Sequence, residues 1–205
     1  MTPGLFVTID GLGGAGKTTT AQLVVEELHT RALPALYTHE PSDSATGRFV
    51  REQFGSINGP ALACLVAADR LDHVARVISP ALEAGTIVIC DRYVASSLVL
   101  QSLDGVPASY ITALNSPAPR PDLAVVLEAS ADTAWSRIVG RGSHGRFEEH
   151  RAQSDAEHRA YAQVAADLTS QGWNMHTVDT EATAAPQVAV MIADLITETS
   201  QTLQL

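Results

Sequence analysis

The residues Gly11-Leu12-Gly13-Gly14-Ala15-Gly16-Lys17-Thr18 fit the pattern G-x-x-x-x-G-K-[ST], and they contain the one lysine among the 13 Lys and Arg residues of the 205-residue chain. Glycines at these spacings let backbone N–H groups turn inward around phosphate oxygens, and a following helix adds the partial positive charge of its first turn. Lysine suits such a cradle because its compact ammonium, on a flexible stem, reaches between the β- and γ-phosphates, where arginine's planar fork does not substitute. Thr18 would place its hydroxyl on Mg²⁺, with Thr19 completing the turn. The pattern predicts a site for ATP and its metal over residues 11–19.

Two further stretches carry chemistry. "TIVICDRY" ends an apolar run in Asp91-Arg92, which sets an acid able to hold Mg²⁺ or its water shell, and a guanidinium, at a strand's C-terminal edge, where open α/β sheets bind ligands. "GRGSHGR", residues 140–146, is a Gly-punctuated basic loop. Its Arg141 and Arg146 would supply cations to the transferred phosphoryl group, because the cradle holds no arginine between Gly11 and Gly16. Gly140, Gly142 and Gly145 would let this loop close as a lid and exclude water. His144 reads as an incidental, exposed lid residue.

These residues need a frame. Apolar, β-branched segments recur at 5–9, 35–39, 86–90, 123–128 and 174–179, too continuous for half-exposed strands and predicted to be covered on both faces. Helical patterns lie between them at 21–28, 62–82, 131–139, 151–168 and 185–196, the fourth strongly polar on one side. Strands alternating with helices imply parallel pairing through right-handed crossovers. The expected fold is α/β, a three-layer P-loop fold with a five-stranded parallel sheet and helices on both faces, forming one domain over 1–205 with a lid at about 140–150.

A net charge of −10 excludes the broad basic surface that long nucleic acids require, so no nucleic-acid partner is expected. Cys64 and Cys90 lie in apolar runs without metal-ligand spacing, which predicts two buried, reduced thiols and a reducing cytoplasm. The N-terminus has no charged leader with a cleavage site, and no apolar run reaches membrane-spanning length, so the chain is expected to be soluble, unprocessed and without a membrane partner.

Among phosphate-loop proteins, a guanine-nucleotide switch would carry N-K-x-D and a transporter ATPase an LSGGQ-like segment. Neither occurs, and a kinase for a small acceptor remains. The ordered set "FVTIDGLGGAGKTTT", "THEP" with Arg51 downstream, "AADR", "GTIVICDRYVASS", "RPDLAVVLE", "GRGSHGRFE" and "GWNMHTVD" resembles the thymidylate kinases almost end to end. The resemblance implies transfer of the γ-phosphoryl group of ATP to dTMP with Mg²⁺, by a homodimer. It assigns Lys17 and Thr18 to donor phosphates and metal, Asp91 to metal or water, and Arg92 to the acceptor phosphate. It places Glu40, Pro41 and Arg51 in the acceptor loop, and Val66, Arg70, Ser97 and Gln101 around the acceptor's base and sugar.

Four positions depart from that family. The aromatic that normally stacks on thymine is Val66, a tyrosine beside Gln101 is Leu100, an acid in the cradle is Gly13, and an arginine of the acceptor loop is His39. Losing one stacking ring costs about 1–3 kcal/mol. Either another residue rebuilds the thymidylate pocket, or the acceptor is a different or modified nucleotide. Two rivals stand beside this reading. A nucleoside or small-alcohol kinase would press Asp10 or Glu40 into service as general base, and a silent ATP-binding regulator would bind without turnover.

Overall fold

The computed structural model describes residues 4–141 and 151–203. Five strands, β1 (Phe6–Gly11), β2 (Ala35–His39), β3 (Ile87–Asp91), β4 (Leu123–Glu128) and β5 (Met175–Asp179), form one sheet in the order β2-β3-β1-β4-β5. Every neighbouring pair is parallel. Nine α-helices are described: α1 (Lys17–Thr30), α2 (Ala45–Gln53), α3 (Gly59–His73), α4 (Ser79–Glu83), α5 (Val94–Leu103), α6 (Ala108–Asn115), α7 (Ala131–Arg141), α8 (Arg151–Ser170) and α9 (Ala185–Leu203). A π turn over Val74–Ile78 joins α3 to α4, so the predicted 62–82 helix is one continuous run with a widened turn inside it. The lid segment 142–150, including Arg146, lies outside the described residues.

Side-chain alternation explains the layers. Val7, Ile9, Ile87, Ile89 and Val125 point to one face, where Ala21, Val24 and Leu28 of α1 and Val188, Ile192 and Ile196 of α9 cover them. Phe6, Val88 and Cys90 point to the other and meet Ile78, Tyr93 and Val94. The expected α/β architecture with helices on both faces is therefore observed. The expectation that all five strands are covered on both faces needs correction. β1 and β3 are buried throughout and β4 at all but its last residue, whereas β2 is half-buried along its length and β5 buries only Val178. β2 and β5 are the sheet's edges, and an edge strand has a neighbour on one side only.

Helices α2, α5 and α6 are short, and their apolar spacing had not marked them out. Cys90 is buried, but Cys64 is exposed on α3, which corrects the expectation of two buried thiols: the apolar run around it belongs to a helix with one solvent face. Among the described residues no helix is long and apolar enough to cross a membrane.

Candidate active site

Parallel pairing brings every strand's C-terminal end to one edge, and the register sets what meets there. Ile9 pairs with Asp91, His39 with Asp91, and Gly11 with Leu127. The chain leaves β1 at Gly11, whose φ of 142° and close approach to Leu127 leave no room for a side chain: a Cβ there would lie 2.4 Å from the Leu127 carbonyl oxygen. Gly14, at φ 81°, is pressed equally hard against Ala134 of α7. Only glycine meets both conditions, and the turn so formed delivers α1 with its first N–H groups open toward the cradle. Lys17 is buried, and its Nζ donates to the carbonyls of Gly11 and Leu12, 2.8 Å each. Leu12, Gly13, Ala15 and Gly16 complete the loop, whose Ala15 N–H donates to Leu12.

Thr18 and Asp91 are brought together as the sequence suggested. The Thr18 hydroxyl donates to Asp91 Oδ2 at 2.6 Å, while Asp91 Oδ1 is buried without a hydrogen-bond partner. A hydroxyl beside a carboxylate with an unsatisfied buried oxygen is the hard-oxygen donor set Mg²⁺ takes. Tyr37 stands at the same point, hydrogen-bonded to Thr18, with burial first and then the Asp91 charge pushing its pKa up to about 12. Arg92 follows at φ 69°, a left-handed conformation that costs a non-glycine residue about 1–2 kcal/mol and turns the chain sharply from β3 toward α5.

Beside the loop lies a cavity of about 370 Å³ lined by Ala15, Gly16, Thr19, Thr20, Arg137 and the 180–185 turn. Arg137 ties α7 to that turn through a 2.8 Å bond to the Thr180 carbonyl, and Thr180 Oγ1 donates to the Ala15 carbonyl at 3.1 Å. Sequence reasoning placed Thr19 here and missed Arg137 and residues 180–185. The available signal was topological, since a turn after β5 must emerge at the same sheet edge as the phosphate loop.

On the opposite side, the acceptor candidates form a buried network. Arg70 Nε donates to Glu40 Oε2 at 2.7 Å, its Nη1 donates to Asn115 Oδ1 at 2.5 Å, and its guanidinium lies 5.0 Å over the Tyr93 ring. His73 Nδ1 is 3.3 Å from the other Glu40 oxygen. Glu40, His73 and Cys90 could together ligate a metal, but Glu40 is already held by Arg70, and burial pushes the Cys90 thiol well above its ordinary pKa, against the thiolate a metal needs. Arg51 donates to the Pro41 carbonyl and lies 3.4 Å from Asp43. Asp69 of "AADR" accepts from the Ser42 amide and from both the Ser42 and Ser44 hydroxyls, so it pins the acceptor loop. Sequence reasoning missed that role, although an acid inside an alanine-rich stretch was the sign of it.

Ser97 and Gln101 are both buried one turn apart on α5, and Gln101 Oε1 has no hydrogen-bond partner among the described residues. Val66 sits in an aliphatic cluster with Val50 and Leu62, packed by half-buried Phe54. Leu100 packs against the main core. Asp10, fully buried, accepts at Oδ1 from the Tyr93 and Ser96 amides and the Ser96 hydroxyl, and burial raises its pKa. The structure gives α7 through Arg141, but the Arg141 side chain and all of Arg146 lie outside what it describes.

A family model described as "Thymidylate kinase" matches residues 9–189. The "Probable thymidylate kinase" of Pyrococcus abyssi is 42% identical over 154 residues, covering 71% of this chain and 75% of that protein. Those of Caldivirga maquilingensis and Pyrococcus horikoshii are 41% and 39% identical, covering 71% of this chain and 73% and 75% of those proteins.

Proposed function

The chain belongs to the thymidylate kinase family of ATP-dependent phosphotransferases, and from that premise we propose that it transfers the γ-phosphoryl group of ATP to dTMP, giving dTDP and ADP. The observation that carries the reading is the meeting of the phosphate loop with the end of β3: Lys17 at the base of the cradle, Thr18 bonded to Asp91, and Arg92 next in the chain.

ATP phosphates lie along residues 11–19, with its nucleoside in the cavity bounded by Arg137 and the 180–185 turn. Thr18 and Asp91 would hold Mg²⁺, which when bound would supply neutralisation of the ATP phosphate charge. Arg92 holds the acceptor phosphate in line. That phosphate oxygen is already an anion, so the site needs no strong base, and positioning with charge neutralisation carries the rate. Asp10 and Glu40 are therefore framework residues here: Asp10 ties β1 to the start of α5, and Glu40 ties the acceptor loop to Arg70. Arg141 and Arg146 supply the remaining cations from the lid. The nucleotides are small-molecule partners, and the working assembly is a homodimer in the cytoplasm.

One observation favours a second reading of the acceptor. Val66 packs with Val50, Leu62 and half-buried Phe54, and Leu100 against the main core, so neither position supplies the ring that the family resemblance leads one to expect on the base and sugar side. An acceptor screen in a coupled ATP assay separates the readings. dTMP preferred over dUMP, dCMP, ribonucleotides and 5-substituted analogues supports dTMP kinase; preference for another monophosphate moves the acceptor; turnover of nucleosides alone, or of nothing, overturns the proposal.

A further inference from the structure

Helix α8 reads in sequence as a helix strongly polar on one side, and the first half of its buried stripe is polar too, with apolar Leu168 following only near its end. Ser154, Glu157 and Tyr161 recur at helical spacing and are 4%, 3% and 2% exposed. Two of the three reach the phosphate loop or the strand that feeds it. Tyr161 hydrogen-bonds the Ser96 hydroxyl at 2.9 Å, and Ser96 in turn donates to Asp10 on β1. Four residues earlier on the helix, Glu157 Oε2 accepts from the Gly13 backbone N–H at 2.8 Å across 144 positions of sequence.

The contact is chemically unusual. A loop built to present N–H groups to phosphate here gives one of them to a protein carboxylate, and a buried carboxylate close to an anion site carries an electrostatic cost. The gain is rigidity. Gly11 and Gly14 are fixed by close approach to Leu127 and Ala134. Gly13, between them in a stretch with glycine at three of four positions, has the backbone freedom that such residues lose at greatest entropic cost. A hydrogen bond from a rigid, buried helix side chain holds this end of the loop in place before substrates arrive, and misplacement by about 1 Å can cost about a hundredfold in rate.

We propose that Glu157 is a positioning residue for phosphoryl transfer: from α8 it holds the Gly13 end of the phosphate loop, acting through the hydrogen bond to that amide, so that donor and acceptor phosphates meet in line. This rests on the phosphotransferase reading above. Glu157 takes no proton and touches no reacting atom.

Two variants of nearly equal shape separate the hydrogen bond from everything else. Glu157→Gln keeps an acceptor oxygen for Gly13, whereas Glu157→Met fills the same space and offers none. Both full-length variants are assayed with Mg·ATP and dTMP, with kcat and both KM values compared, and thermal melting recorded. The expected result is kcat within about twofold of wild type for Glu157→Gln. For Glu157→Met we expect kcat lower by about ten- to a hundredfold, KM values within a few-fold and a melting temperature close to that of Glu157→Gln. Wild-type kcat in Glu157→Met overturns the inference, as does a loss in Glu157→Gln equal to that in Glu157→Met, which would assign the effect to charge. A loss in Glu157→Met that simply tracks its melting temperature assigns a structural role and overturns it too. Absence of turnover in the wild-type chain itself overturns the underlying reading and the inference together.

Discussion

The phosphate-binding part of the proposed donor site occupies nine consecutive residues, 11–19, whose glycines fold against β4 and α7, with Arg137 and the 180–185 turn added on the cavity side. The proposed acceptor half is gathered from the 40–44 loop, α3, the end of β3, α5 and α6, held by Arg70, Glu40, Asn115, Asp69 and Tyr93. The first is one turn of chain braced by Leu127, Ala134 and Glu157, and the second is a network of side chains from several elements. The turn's shape is set mainly by its own residues, so it tolerates substitution outside its few bracing contacts, while a network changes when any member does. The phosphate loop keeps every fixed position of G-x-x-x-x-G-K-[ST], while Val66, Leu100, His39 and, at a variable position of the loop itself, Gly13 differ from what the resemblance to thymidylate kinases leads one to expect.

The sharpest way to break this comparison is to disable each half separately. Lys17→Ala and Arg92→Ala should each lower turnover by about a thousandfold, the scale of losing a group aimed at transition-state charge, with melting temperatures near wild type. Substantial turnover in either variant would show that the halves are wrongly assigned. A smaller effect is expected within the network. Glu40→Ala strands the Arg70 guanidinium, 2% exposed, and should lower unfolding stability by about 3–5 kcal/mol in urea titration, with dTMP binding weakened more than ATP binding. A loss under about 1 kcal/mol would mean that Asn115 and Tyr93 hold Arg70 unaided.

The smallest effect concerns Asp10, the buried joint between the halves. Burial raises its pKa in the folded chain above the ordinary 3.8, so the folded state binds the proton more tightly than the unfolded one. Its contribution to stability is present at pH below 3.8 and is lost as pH rises through the higher folded value. Asp10→Asn does not titrate. The stability of wild type relative to Asp10→Asn should therefore fall as pH increases across that window and then level off. A difference that grows with pH, measured by thermal melting, would contradict the assignment.

What could be read from the sequence follows the same division. The phosphate loop was legible because spacing along the chain is its geometry, and β1, β3 and β4 were legible because strands buried on both faces read as continuous apolar runs. β2 and β5 read the same way yet lie at the sheet's edges, because strand order is not written in strand composition. Asp91 and Arg92 were singled out from their place at the end of an apolar run, and the structure sets Asp91 against Thr18. Glu157 was hidden because a buried polar stripe has the same period as a solvated one, and only packing against Gly13 tells them apart. Arg137 and the 180–185 turn were hidden because nothing local ties them to Ala15.

The measurement that reaches the central claim most directly is calorimetric binding of ATP and of dTMP, each alone and in Mg²⁺, to wild type, Lys17→Ala and Arg92→Ala. The account predicts that Lys17→Ala loses ATP while still binding dTMP, and that Arg92→Ala does the reverse. ATP bound by Lys17→Ala as tightly as by wild type, or both ligands lost together in both folded variants, would contradict it.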